Sequence, residues 1–71
     1  MQRYLIIMEP TPMGYSAYSP DVPGCIATGP STEAVQVNMG EAITFHFDEL
    51  RADGHPLPPP QSIATYVEVA A

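Results

Sequence analysis

Apolar and polar positions alternate at strand spacing in the first third of the chain, and the spacing then changes to that of a helix. From Arg3 to Glu9, Tyr4, Ile6 and Met8 point one way and Leu5 and Ile7 the other. Both sets are apolar, the pattern of a strand covered on both sides. Pro10, Pro12 and Gly14 then mark a turn. Tyr15 to Ser19 alternates again and predicts a second strand. Pro20-Asp21-Val22-Pro23-Gly24 lacks two backbone donors, so it is expected to be an ordered turn rather than part of a ladder. Cys25 to Thr28 predicts a third, short strand, ended by Gly29-Pro30.

Ser31 is a natural helix N-cap, with Glu33 in the first turn, where the helix dipole favours a negative charge. Val35, Met39, Ala42, Ile43, His46 and Leu50 follow at helical spacing, and Gly54 stands where a C-terminal cap belongs. One helix, Thr32 to Asp53, is therefore expected to lay a single stripe on a sheet. Gly40 costs about 1 kcal/mol relative to Ala in mid-helix, a cost that close packing against the sheet or another chain would explain. Pro56, Pro58, Pro59 and Pro60 predict a stiff connector, part of it polyproline II. An SH3-type ligand is the other reading of such a run, but here it joins two core elements. Ile63 to Val69 then predicts a last strand, with Ile63, Thr65, Val67 and Val69 alternating against Ala64, Tyr66 and Glu68.

The resulting fold class is α+β in the order β-β-β-α-β, within a single domain spanning residues 1–71. Three strands form an antiparallel meander, and the helix returns the chain in a right-handed crossover to a parallel fourth strand beside the first. One helix covers one face of such a sheet. The other face, with Leu5, Ile7, Tyr18 and Tyr66 as candidate interface residues, needs a second cover. A homo-oligomer, dimer or tetramer, is the expected partner arrangement.

Composition strengthens that expectation. The chain has 71 residues and a single cysteine, Cys25, so no intrachain disulfide is available to support a small core. Eight carboxylates oppose only Arg3 and Arg51, a net charge of −6. Two separated arginines do not make a phosphate-binding footprint, so direct nucleic-acid binding is not expected. A basic protein is the partner that the charge favours, although acidity also serves solubility alone. The run Leu5-Ile6-Ile7-Met8 is too short for a secretory core, and no segment approaches the ~20 apolar residues of a membrane span. A cytoplasmic protein with a reduced cysteine is the expectation.

Candidate chemistry is sparse. Asp21 is either a carboxylate displayed on a rigid turn or a residue that shapes the turn by bonding nearby amides. Cys25 would need a base and a lowered pKa to act as a nucleophile, and otherwise is a buried thiol. His46 falls on the apolar stripe, where a core or interface role competes with acid–base work. His55 follows the helix end. The carboxylates are too dispersed for a two-metal site, His46 and His55 do not complete a zinc site with Cys25, and no glycine-rich phosphate loop is present. No metal, cofactor or catalytic residue is assigned.

Two stretches resemble the HicB family. Tyr15-Ser-Ala-Tyr-Ser-Pro-Asp-Val-Pro-Gly-Cys-Ile-Ala-Thr-Gly29 is similar to the family's strand running into Pro-Asp-Leu-Pro-Gly-Cys. Asn38-Met-Gly-Glu-Ala-Ile43, then Leu50-Arg-Ala-Asp-Gly54 and the prolines, resemble its helix closing on Asp-Gly. The resemblance implies a reduced ribonuclease H-like fold and a non-enzymatic antitoxin that binds and blocks a small basic HicA-type ribonuclease. The rim of the turn, at Tyr18, Asp21, Val22 and Cys25, is the candidate partner surface. Many HicB proteins add a C-terminal DNA-binding domain, which is not expected within these 71 residues. An orphan homo-oligomer without a toxin, and a degenerate hydrolase using Asp21, His46 or Cys25, are the alternative readings.

Overall fold

Three strands in sequence order form one antiparallel sheet: β1 (Ile7–Thr11), β2 (Gly14–Ser19) and β3 (Val22–Gly29), followed by helix α1 (Thr32–Ala52). The computed structural model describes all residues, Met1–Ala71. The observed elements are α+β, and the meander and helix stand in the expected order.

The strand boundaries moved for physical reasons. β1 runs through Pro10 to Thr11, because β1 is an edge strand and tolerates a residue without a donor. The turn to β2 is then only Pro12-Met13, with Thr11 opposite Gly14. Gly14 has φ +146°, and a Cβ there would collide with the Gly29 carbonyl of β3. Ile7 lies opposite Tyr18. Arg3 to Ile6, expected to be paired, run past the end of β2 and carry no ladder. The second turn is also tighter than expected. Ser19 pairs with Val22 around Pro20-Asp21, and the register shift that follows bulges Pro23 to Cys25 before Ile26 meets Tyr18. Gly24, at φ +82°, takes the left-handed conformation that the bulge needs.

Ser31 caps the helix as expected, its hydroxyl accepting from the Ala34 amide at 3.1 Å. At the other end the Gly54 amide donates to Arg51 and the His55 amide to Leu50, with Gly54 at φ +73°. That is the Schellman arrangement, which satisfies carbonyls left free by the last turn. Inward from the helix, Val35 and Met39 are fully buried against Val22, Ala17 and Cys25. Phe47 joins them and meets Tyr4 edge-on at 5.1 Å. The helix lies chiefly over β3 and β2. Gly40 does not pack closely against the sheet, since a Cβ there would meet nothing within 4 Å. No helix is long and apolar enough to cross a membrane.

The fourth strand expected over Ile63 to Val69 is not formed. That stretch pairs with no strand of its own chain, and its side chains stand in solvent. The local pattern is that of a strand, but alternation does not specify which edge, or whose, a strand joins.

Core and surface respond differently to truncation. Met39→Ala is expected to cost about 2–5 kcal/mol, the range for emptying a well-packed site. Ser19→Ala is expected to be neutral or stabilising, because the buried Ser19 hydroxyl has no hydrogen-bond partner. Urea denaturation of both variants checks the contrast, and equal losses would contradict it.

Candidate functional site

Pro20 and Asp21 form the two-residue turn between β2 and β3, which places Asp21 at one end of the sheet. Its side chain is turned inward and accepts three hydrogen bonds from the C-terminal segment. The Gln61 amide donates at 3.2 Å, the Ser62 amide at 3.0 Å and the Ser62 hydroxyl at 2.8 Å. Asp21 therefore neither displays a carboxylate to solvent nor bonds its own turn. It fastens residues forty positions away. The Ser62 amide, then the Ser62 hydroxyl, hold the carboxyl below its usual range; burial opposes them, and the Gln61 amide adds to the lowering.

The connector reaches Asp21 by a route that other contacts define. Leu57 packs against the core, and the Tyr4 hydroxyl donates to the Pro58 carbonyl at 2.6 Å. The proline run thus crosses the end of the molecule beside Tyr4 and Phe47 before Ser62 meets Asp21.

The residues singled out in the sequence separate into two groups. Val22 and Cys25 are buried beneath the helix and present no side chain to a partner. Burial pushes the Cys25 thiol up from its ordinary pKa, which disfavours the reactive thiolate. His46 is half-buried with its ring tilted against Phe47. No three His, Cys, Asp or Glu side chains gather where they could hold a metal ion. Tyr18, in contrast, stands on the face of the sheet opposite the helix. Ile7, Tyr18 and Ile26 are successive partners across the three strands, so they form one apolar row, with half-buried Leu5 next to it. Ile26 is 73 % exposed and Tyr18 42 %, so the chain leaves the β2 and β3 part of that face uncovered, while Leu5 and Ile7 are half-buried. Tyr66, the remaining candidate interface residue, is fully exposed in the C-terminal segment.

A second surface was missed. On the solvent side of α1, Val37 and Phe45 are exposed, 63 % and 67 %, on either side of Glu41 and near Asp48. At 100° per residue these four span about 80° of the helix. Apolar residues outside the main stripe at positions 37 and 45 were the available signal. Seven of the eight carboxylates are exposed, and Asp21 is the exception. The one ion pair, Arg51 with Asp48 at 3.4 Å, is solvent-exposed and does little to change this acidity.

The Asp21 contacts carry a pH signature. A carboxyl whose folded pKa is lowered stabilises the fold above its unfolded value, near 3.8, and loses that contribution as pH falls through the lower folded value. In an NMR titration the Gln61 and Ser62 amide protons are expected to shift together, with a midpoint below 3.8. Asp21→Asn is expected to abolish the shift. An unchanged titration in that variant would show that another acid governs these amides.

Comparison with known proteins places this architecture. Residues 4–70 match the family model described as HicB-like antitoxin of bacterial toxin–antitoxin system. A 14.9 kDa protein from the rep–hol intergenic region of Haemophilus phage HP1 (strain HP1c1) is 36 % identical over 64 residues, 90 % of this chain and 48 % of the relative. The chain thus spans about half the length of that relative. A chain of the HicA3 and HicB3 toxin–antitoxin complex superposes with a TM-score of 0.72 and 35 % identity, covering 83 % of this chain and 70 % of that one. With a match over nearly its whole length, this chain belongs to the HicB-like antitoxin family.

Proposed function

We propose that this chain is the toxin-binding part of an antitoxin, and that it neutralises a small basic HicA-type ribonuclease by covering the surface with which that enzyme meets RNA. Family membership and similarity to a chain of a HicA3–HicB3 complex support the reading. The observation that carries it is the outer face of α1, where Val37 and Phe45 flank Glu41 near Asp48. A ribonuclease surface that attracts phosphates is positive, and an acidic helix face competes for it. Complementary charge accelerates the encounter and selects the partner. Two exposed apolar side chains give the contact a centre from which water is expelled.

No catalytic role is assigned to the chain. Cys25 is buried with a raised pKa, and Asp21 is fully engaged by Gln61 and Ser62. In this reading the Tyr18–Cys25 segment contributes through Tyr18 at the surface, while Asp21 positions the C-terminal segment. The uncovered row Ile7–Tyr18–Ile26 supports self-association as well, so the working antitoxin is a homo-oligomer.

The test is cleavage of RNA by a purified basic HicA-type toxin at increasing amounts of this chain. Stoichiometric suppression is expected, weakening as salt rises, because exposed charges are screened within about 8 Å at physiological ionic strength. Phe45→Ala and Glu41→Lys are each expected to weaken binding by roughly tenfold, an effect near 1.4 kcal/mol. Cleavage that continues at a large excess of the wild-type chain would refute the function. Full suppression by both variants would instead move the contact to another face.

A further inference from the structure

The chain exposes more surface than its size requires. A compact protein of 7.7 kDa shows about 4,300 Å² to solvent, whereas this chain shows 5617 Å². Its radius of gyration, 13.9 Å, likewise exceeds the ~11 Å of a compact chain of this length. The surplus, roughly 1,300 Å², is larger than the ~800 Å² that each partner buries in a standard interface. The C-terminal segment accounts for much of it. Beyond Ser62 the chain leaves the fold, with Ile63, Tyr66, Val67 and Val69 almost fully exposed. In an extended chain Ile63, Val67 and Val69 fall on one face and Tyr66 on the other, and the segment is rich in the residues that strands favour.

The sheet has a matching vacancy. β1 is an edge strand, and Arg3 to Ile6 run past β2 without a ladder on either side. The helix lies over β2 and β3 and leaves a groove of about 480 Å³ along β1. Tyr4, Ile6 and Met8 form its floor, and Met39, Gly40 and Ile43 its wall. The missing side chain of Gly40 keeps that wall open. The opposite edge is less suited to accept a strand. β3 carries Pro23 and the left-handed Gly24, and the Asn38 side chain already donates to the Thr28 carbonyl at 2.9 Å.

We propose that residues Ile63 to Val69 of one chain add as a fourth strand to the β1 edge of a second copy, reciprocally, in a strand-exchanged dimer. Ile63, Val67 and Val69 then enter the groove beneath α1. Tyr66, on the other face, extends the row Ile7–Tyr18–Ile26. Asp21 fixes where each segment departs, so it acts as the hinge clamp. Each chain offers one donor strand and one acceptor edge, so a two-fold pair satisfies both and closes. The exchange supplies the fourth strand of the β-β-β-α-β order. It concerns the chain alone and stands whether or not a toxin is bound.

The experiment is sedimentation equilibrium of the full chain, joined to isotope-filtered NMR on a mixture of labelled and unlabelled protein. A dimer is expected, with intermolecular contacts between residues 63–69 of one copy and residues 3–8 of the other. Gly40→Leu fills the groove and Val67→Asp places a charge in it. Each is expected to weaken the dimer by at least roughly tenfold without loss of helical circular dichroism. A monomer in which residues 63–69 contact their own β1 would overturn the proposal. So would a dimer whose filtered spectra show no contact between these two stretches.

Discussion

Three hydrogen bonds to one carboxylate determine where this chain leaves its own fold. Asp21 sits at the tight turn between β2 and β3, and Gln61 and Ser62 are held there after the proline connector has crossed the end of the molecule. Hydrogen bonds to a charged acceptor are stronger than neutral ones, and burial raises the cost of leaving that charge unpaired. The position of Ser62 follows from this, and with it the direction of everything beyond. Tyr4 reinforces the crossing through Pro58 and, through Phe47, ties it to the helix.

The second constraint is the ratio of core to surface. Only eight of the 71 residues are buried, so the single chain has a core too small to spare large apolar areas to solvent. Three such areas remain: the sheet face with Ile7, Tyr18 and Ile26, the C-terminal segment, and the outer helix face with Val37 and Phe45. They differ in character. The first two are apolar, one on a sheet face and the other on a segment that leaves the fold, which suits a second copy of the chain. The third is set among carboxylates, which suits a basic partner. Under the proposed reading, self-association and toxin binding would draw on different areas of the surface, with Tyr18 alone common to both.

Much of this was legible in the sequence, and the limits have physical causes. Ser31, the helical spacing from Val35 to Leu50 and Gly54 delimited the helix almost to the residue, because caps act through local backbone geometry. The open sheet face followed from Leu5, Ile7 and Tyr18, since one helix covers one side. Asp21 was recognised as unusual, but its partners lie forty positions away, and no local pattern encodes a contact of that separation. The prolines around Asp21 suggest a longer turn with Val22 and Cys25 on its rim, whereas the two-residue turn starts β3 early and carries both inward. Phe47, rather than the neighbouring His46, is the helix residue buried at that level, a choice that helical spacing alone does not make between adjacent positions. The strand expected over Ile63 to Val69 is not formed in the single chain, because its alternation is a local pattern and a strand also needs an edge to pair with, which alternation does not specify.

The central claim is that the chain completes its fold only by association, through its C-terminal segment and the free edge of β1. Amide hydrogen exchange measured over a wide range of protein concentration tests it most directly, because protection that depends on association must rise with concentration. Protection is expected to increase together in residues 3–8 and 63–69, while α1 stays protected throughout. Protection in both stretches that is independent of concentration, or absent at every concentration, would contradict the account.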